Sequence, residues 1–353
     1  MSADEDYMRA ALAMGRRGLG CAAPNPSVGC IIVKKNMIVG RGVTAIGGRP
    51  HAEASALRQA GHDARGATAY VTLEPCAVAG REGPCAQALI NAGIARVVIG
   101  CMDINPAVNG RGIEILKNAG IDVSSGVLEA EAHAVHQGFF LRFTNNRPMI
   151  TLKAATTQDG FIEPEAGTPW ITGELARHHV HLERSLHDAI LVGIGTVMAD
   201  DPVLTTRLPG FVHKGVRIIL DSHLKIPLES RLVRSAGDTP LWVFHKDDPA
   251  DRRTALEQMG VKIMSAPDLK TAMGLLAGQG ITRVLVEGGP AVWDSFIRAG
   301  LYDRLLLYRS PRVAGHGPAA FANYTIDSIG PALGLRAAGR RELGQDLLEI
   351  YEK

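Results

Sequence analysis

A chain of 353 residues with 38 basic and 36 acidic side chains carries a net charge of only +2, which excludes a strong polyanion-binding footprint. Its 46% apolar content is ordinary for a globular protein, its length exceeds one typical core, and no apolar run approaches the roughly 18 residues of a membrane span. Five cysteines are too few for a disulfide scaffold, and the acidic opening MSADEDYMRAA does not read as a signal peptide, so a reducing, cytoplasmic setting is expected.

In chain order, DEDYMRAALAMGRRG has a helical pattern, and VGCIIVKKNMIVGRGV reads as two strands about Lys34-Lys35-Asn36. A helix is expected from His51, a strand at ATAYVTL, a helix at CAQALINAG and a strand at RVVIGC. A helix at GIEILKNAG and a short strand at IDVSSGV follow. The segment LEAEAHAVHQGFFLRFTNN is a helix that ends in Asn145-Asn146-Arg147-Pro148, a stop-and-turn cluster, and a domain boundary is placed there, giving 1–146 and 147–353. The second half resumes with strands at MITLKAATTQDG, AILVGIGTV, VRIILDS, LWVFH, VLVEGG and RLLLYRSPRV, several of them separated by helical patterns. Such alternation predicts α/β units with mostly parallel sheets, and the 40 glycines suit many tight strand–helix turns.

Chemistry concentrates in two stretches, GGRPHAEASALRQAG and VTLEPCAVAGREGPCAQALINAG. Zinc favours cysteine sulfur and histidine nitrogen, and a catalytic zinc keeps three protein ligands with one position open. His51, Cys76 and Cys85 supply such a set. Pro50 and Pro84 are expected at helix starts, where a missing N–H is tolerated, which puts His51 and Cys85 at helix N-termini. The positive end of a helix and the metal both lower a thiol pKa. Glu53 cannot share a helical face with His51, but at the first turn it can reach the adjoining pocket. There it would take a water proton and return it to a departing amine, the role of the glutamate in the zinc-deaminase pattern H-x-E…P-C-x-x-C. Here the cysteines have eight residues between them rather than two. A closed structural zinc site would need a fourth ligand, for which His62, Cys30 and Cys101 are the nearest candidates. Upstream, Asn25 in APNPSVG offers both a donor and an acceptor to an amino-pyrimidine edge.

The ordered motifs PNPSVG, HAEASAL, YVTLEPC, GPC and GRGIEILKNAGI resemble the bifunctional deaminase–reductases of bacterial riboflavin biosynthesis, whose widened cysteine spacing this chain shares. It departs from them between the cysteines. The family usually has Ser-His-(His or Tyr)-Gly-(Arg or Lys)-Thr-Pro-Pro-Cys, whereas this chain runs from Ala77 and Val78 to Gly83, Pro84 and Cys85 without the histidine.

Unaided, the second half says less. VGIGTVMADDP and VLVEGGPAVWDSF place glycines after apolar strands, but neither is a dinucleotide fingerprint. The resemblance extends through LKAATTQDG, WIT, ADDPVLTTR, ILDS and VEGGPAVWDSF. It implies a cytidine-deaminase-like three-layer α/β domain followed by a dihydrofolate-reductase-like α/β domain. It further implies that Ala155, Trp170, Thr196, Asp200, Ser222 and the run Gly289, Pro290, Ala291, Val292, Trp293, Asp294 and Ser295 contact NADPH. Thr168, Arg184, Leu204, Arg207 and Glu287 would hold a phosphoribosyl substrate, and a planar guanidinium suits phosphate. The implied reactions are zinc-dependent hydrolytic deamination of 2,5-diamino-6-(5-phosphoribosylamino)pyrimidin-4-one and NADPH-dependent reduction of its ribosyl group to ribityl. Three alternatives remain at this level. They are a nucleic-acid base deaminase, disfavoured by charge and cysteine spacing, a deaminase with a purely structural second half, and a non-enzymatic zinc module. A small-molecule substrate, no nucleic-acid or membrane partner, and a homo-oligomer are expected.

Overall fold

The computed structural model describes residues 2–78, 83–162, 164, 169–211, 215–247 and 249–353. The chain divides into two compact units, residues 1–146 and 147–353.

The first unit runs α1 (Ala3–Arg17), β1 (Gly29–Lys34), β2 (Met37–Val43), α2 (Ala52–Ala60), β3 (Thr68–Leu73), α3 (Cys85–Asn91), β4 (Arg96–Cys101), α4 (Arg111–Asn118), β5 (Asp122–Ser125) and α5 (Glu129–Thr144). Its sheet has the order β2-β1-β3-β4-β5. β1 is antiparallel to both neighbours, while β3, β4 and β5 are parallel. α1 starts with a reciprocal cap between Ser2 and Glu5 and buries Met8, Ala11 and Leu12, spaced for one face. The β1–β2 hairpin turns on Lys35 and Asn36, both at positive φ, as a tight two-residue turn requires. α2 lies close on β2 because Gly42 has no side chain. A Cβ there would come within 1.9 Å of the Ala52 carbonyl oxygen. That close approach seats the first turn of α2, which carries Glu53.

The second unit runs β6 (Met149–Thr156), α6 (Glu174–Ser185), β7 (Ala189–Gly193), α7 (Ile194–Asp200), β8 (Val216–Leu220), α8 (Arg231–Arg234), β9 (Leu241–His245), α9 (Ala250–Gln258), β10 (Lys262–Ser265) and α10 (Leu269–Gly278). It continues with β11 (Arg283–Val286), α11 (Pro290–Arg298), β12 (Arg304–Arg309), α12 (Ile329–Ala332), β13 (Arg336–Leu343) and β14 (Asp346–Glu352). The sheet order is β10-β9-β8-β7-β11-β6-β12-β14-β13. Strands β10 through β12 in that order are all parallel, and β14 and β13 close the edge antiparallel. Apart from the edge strand β10, the parallel strands are largely buried, and the sheet core gathers Ile150, Leu152, Leu191, Val284, Leu305 and Leu307 against α10 and α11.

Two details depart from the sequence pattern. AILVGIGTV is one apolar run, yet its strand ends at Gly193 and α7 starts at Ile194, since periodicity cannot divide a short apolar stretch. The β13–β14 hairpin carries no apolar alternation on its outer strand, where seven of eight residues are exposed, so tertiary pairing decides it. No helix among the described residues is long and apolar enough to cross a membrane.

Candidate active sites

In the first unit, His51, Cys76 and Cys85 converge so that their ligand atoms lie within 4.8 Å of one another. His51 Nδ1 is 3.2 Å from Cys85 Sγ and 3.7 Å from Cys76 Sγ. His51 is the N-cap of α2 and Cys85 the first residue of α3. The two prolines sit outside the helices rather than in their first turns. Pro84 is the extended N-cap of α3, and Pro50 precedes the extended N-cap His51. The Cys85 N–H donates to Cys76 Sγ at 3.3 Å, so the start of α3 turns a backbone donor onto a sulfur. Hydrogen bonding from Cys85 is the main reason that the Cys76 thiol is pulled down to about 4, with His51 adding to it. The Cys85 thiol is instead pushed up by its bond to Cys76 and by burial.

Two soft thiolates and an imidazole are the donor set that tetrahedral zinc takes, with one position left open, and His51 and Cys85 stand at helix starts. Among the described residues no fourth ligand joins them. His62 is exposed, Cys30 is buried on β1, and Cys101 Sγ donates to the Thr72 carbonyl. Glu53 lies beside the cluster, only 3% exposed, within hydrogen-bonding reach of Cys85. Burial, then the Cys76 charge, raise its carboxyl to about 7. Asn25 sits behind the imidazole. Its amide nitrogen is 3.4 Å from His51 Nε2 and donates to the Gly48 carbonyl at 2.9 Å.

Sequence reasoning passed over two further acids. Glu74, between β3 and Cys76, is buried and accepts from the N–H groups of Asp103, Gly110, Gly112 and Ile113 at 2.9–3.3 Å. Those four bonds tie the start of α4 to the turn that delivers Cys76. Asp103 is also buried, and burial raises its carboxyl to about 6. The available signal was an acidic residue closing the apolar run AYVTL. Residues 79–82 of the inter-cysteine loop lie outside the described residues.

In the second unit the predicted positions gather at the C-terminal ends of parallel strands. Ala155 lies on β6, Thr196 and Asp200 on α7 after β7, Ser222 after β8, and Gly289 caps α11 after β11. This is the edge at which open α/β sheets bind ligands. Gly288 lets the β11 turn close on β7, since a Cβ there would come within 2.7 Å of Val192 Cα. Of the run Gly289–Ser295, Trp293 turns its ring into the core against Phe321, at 5.6 Å between centroids. Its indole is therefore packing, and any outward contact of this run falls to its other members. Trp170 is 51% exposed with the Arg177 guanidinium 4.9 Å over its ring. Thr168 lies outside the described residues.

Arg184 and Glu287 meet each other. Arg184 Nε and Nη2 donate to the two Glu287 carboxylate oxygens at 2.6 and 2.8 Å, and Nη1 donates to the Thr205 carbonyl at 2.9 Å. The guanidinium fork is thus engaged, while Arg207 remains exposed, with its backbone N–H bonded to His181 Nδ1 at 3.2 Å. Leu204 is buried at positive φ, bending the chain between Asp201 and Arg207. Burial, with Arg184 and Arg207, brings His181 down to about 4, so its imidazole is neutral near pH 7. Burial alone would raise Glu287, but Arg184 and Lys153 outweigh it and hold the carboxyl below its usual range.

Known proteins share both halves of this arrangement. Residues 1–101 match the family described as the cytidine and deoxycytidylate deaminase zinc-binding region, and residues 148–348 match the RibD C-terminal domain. The riboflavin biosynthesis protein RibD of Aquifex aeolicus (strain VF5) is 39% identical over 351 residues, which covers 99% of this chain and 98% of that protein. RibD of Escherichia coli (strain K12) is 40% identical over 325 residues, covering 88% and 89%. The Acinetobacter baumannii RibD structure, form 1, is 36% identical, superposes with a TM-score of 0.88, and covers 99% of this chain and 98% of that one. The Thermotoga maritima diaminohydroxyphosphoribosylaminopyrimidine deaminase/5-amino-6-(5-phosphoribosylamino)uracil reductase is 34% identical with a TM-score of 0.87, again covering 99% and 98%. With a zinc-binding deaminase half and a reductase half of the NADPH-using type, this chain belongs to the RibD family of bifunctional riboflavin-biosynthesis deaminases and reductases.

Proposed function

We propose that residues 1–146 carry the deamination and residues 147–353 the reduction, with His51, Cys76 and Cys85 as the zinc ligands and Glu53 as the proton carrier. The observation that supports this most is the convergence of three soft donors within 4.8 Å beside a buried carboxylate. Zinc bound there would supply a Lewis acid that acidifies water. Glu53 accepts the water proton and passes it to the departing amine, and a carboxyl raised to about 7 can act as base and acid near neutrality. Asn25 lines the pocket behind the imidazole, its amide nitrogen 3.4 Å from His51 Nε2. Glu74 fixes the turn before Cys76.

In the second unit NADPH would supply the hydride. The turns after β6, β7, β8 and β11, with Ala155, Thr196, Asp200, Ser222 and Gly289, form its bed. Arg207, exposed with its guanidinium against His181, is the cation placed to meet the substrate phosphate, and Arg184 acts by holding Glu287 at the substrate. We place the working enzyme in the cytoplasm, in keeping with a chain of only five cysteines, as a homo-oligomer, for which the exposed β13 edge offers a pairing surface. The reading is tested by supplying the diamino-pyrimidinone phosphoribosyl substrate and following ammonia and NADPH separately. Ammonia release followed by NADPH consumption is expected, and failure of either reaction with zinc bound rejects the assignment of that half.

A further inference from the structure

One pair joining α6 to β12 has no part in the chemistry assigned above. Tyr308, on β12, is completely buried, and its hydroxyl lies 2.8 Å from His179 Nδ1 on α6. Its ring lies beneath the Lys153 ammonium, which is 5.8 Å from the ring centroid. Lys153, on β6, is opposite Leu306 of β12 and one step beyond the Leu152–Val286 pairing with β11, where Glu287 follows. The ammonium therefore meets Glu287 from the end of β11, Arg184 from α6 and the Tyr308 ring from β12. His179 is itself faced by Glu183 of its own helix, Arg304 of β12 and Arg341 of β13.

Lys153 is half-buried, and the hydration lost there draws its pKa down while Glu287 opposes the fall. An aromatic face beneath a desolvated ammonium also favours the charged form. The face can act only if the ring keeps its tilt, and a buried tyrosine is fixed by its hydroxyl as much as by packing. β12 supplies the ring, and α6 supplies the imidazole that locks it. The same helix supplies Arg184, so one rigid element sets both the tilt of the platform and the place of the carboxylate.

We propose that Tyr308 and His179 are positioning residues for the reduction, holding the Lys153 ammonium fixed beside the Arg184–Glu287 pair. This rests on the assignment of that pair to the substrate site. The test uses the full chain with zinc bound. The Lys153 side-chain Cε resonance, identified by its loss in Lys153→Met, is titrated by NMR without substrate. In parallel, kcat and KM for NADPH-dependent reduction of deaminated substrate are measured against pH. Tyr308→Leu removes the platform and is expected to lower the Lys153 midpoint by about one pH unit, moving the basic limb of the reduction the same way. Tyr308→Phe and His179→Leu keep the ring but free its tilt, and kcat is expected to fall about tenfold with KM for NADPH unchanged. His179→Gln, which can still meet the hydroxyl, is expected to restore most of that loss. An unmoved Lys153 midpoint in Tyr308→Leu overturns the proposal. If that variant does not fold, parent-like kcat in both Tyr308→Phe and His179→Leu overturns it equally. Failure of the site assignment has a different signature, namely undiminished reduction in Glu287→Gln, while the substrate-free titration still reports on the platform.

Discussion

Removing Glu287 tests the second site through stability as well as activity. In Glu287→Ala, Arg184 loses two charge-assisted bonds of 2.6 and 2.8 Å and retains only its bond to the Thr205 carbonyl. The side chains are 14% and 8% exposed, so water cannot replace the carboxylate, and Lys153 is left as a second uncompensated cation nearby. Breaking a buried pair of this kind costs about 3–5 kcal/mol. For a unit of about 200 residues, each kcal/mol moves the melting temperature roughly 2–4 °C, giving a drop of roughly 6–20 °C. Removing both partners in Arg184→Met/Glu287→Leu leaves no orphaned charge and is expected to regain most of the stability while reduction stays lost. Thermal and urea unfolding of the three proteins, with NADPH oxidation on deaminated substrate, provide the comparison. A loss below about 1 kcal/mol in Glu287→Ala would show a solvated pair and refute the reasoning.

Three further outcomes concern the two halves. His51→Ala and Cys76→Ser are expected to lose zinc by elemental analysis, and full retention in both removes these residues from the ligand set. Glu53→Gln is nearly isosteric but cannot carry a proton, so it is expected to keep zinc and fold while ammonia release falls about 10²–10⁴-fold. A parent-like rate would dismiss Glu53 as the acid and base. Asp200→Lys places a cation on the exposed end of α7 and is expected to impair reduction while sparing ammonia release, as Glu53→Gln should spare reduction. Equal loss of both activities in either variant, with zinc and folding intact, would mean one shared site.

Local chemistry alone was enough to single out the three donors that converge in the first unit and the glutamate beside them. His51, Glu53, Cys76 and Cys85 are residue types with few competing uses in such an order, and the apolar runs around them have strand and helix periods that survive any tertiary context. The same holds for Lys35-Asn36, where the turn requires positive φ at both positions. Tertiary structure decided what depends on partners distant in sequence. Only folding brings the amides of 103–113 onto Glu74, turns Trp293 toward Phe321, and sets Arg184 against Glu287, 103 residues away. No local pattern could place Tyr308 between His179 and Lys153, because that contact joins two strands to a helix. The outer strand β13 shows the same limit, since its exposed residues carry no period and its pairing with β14 alone makes it a strand.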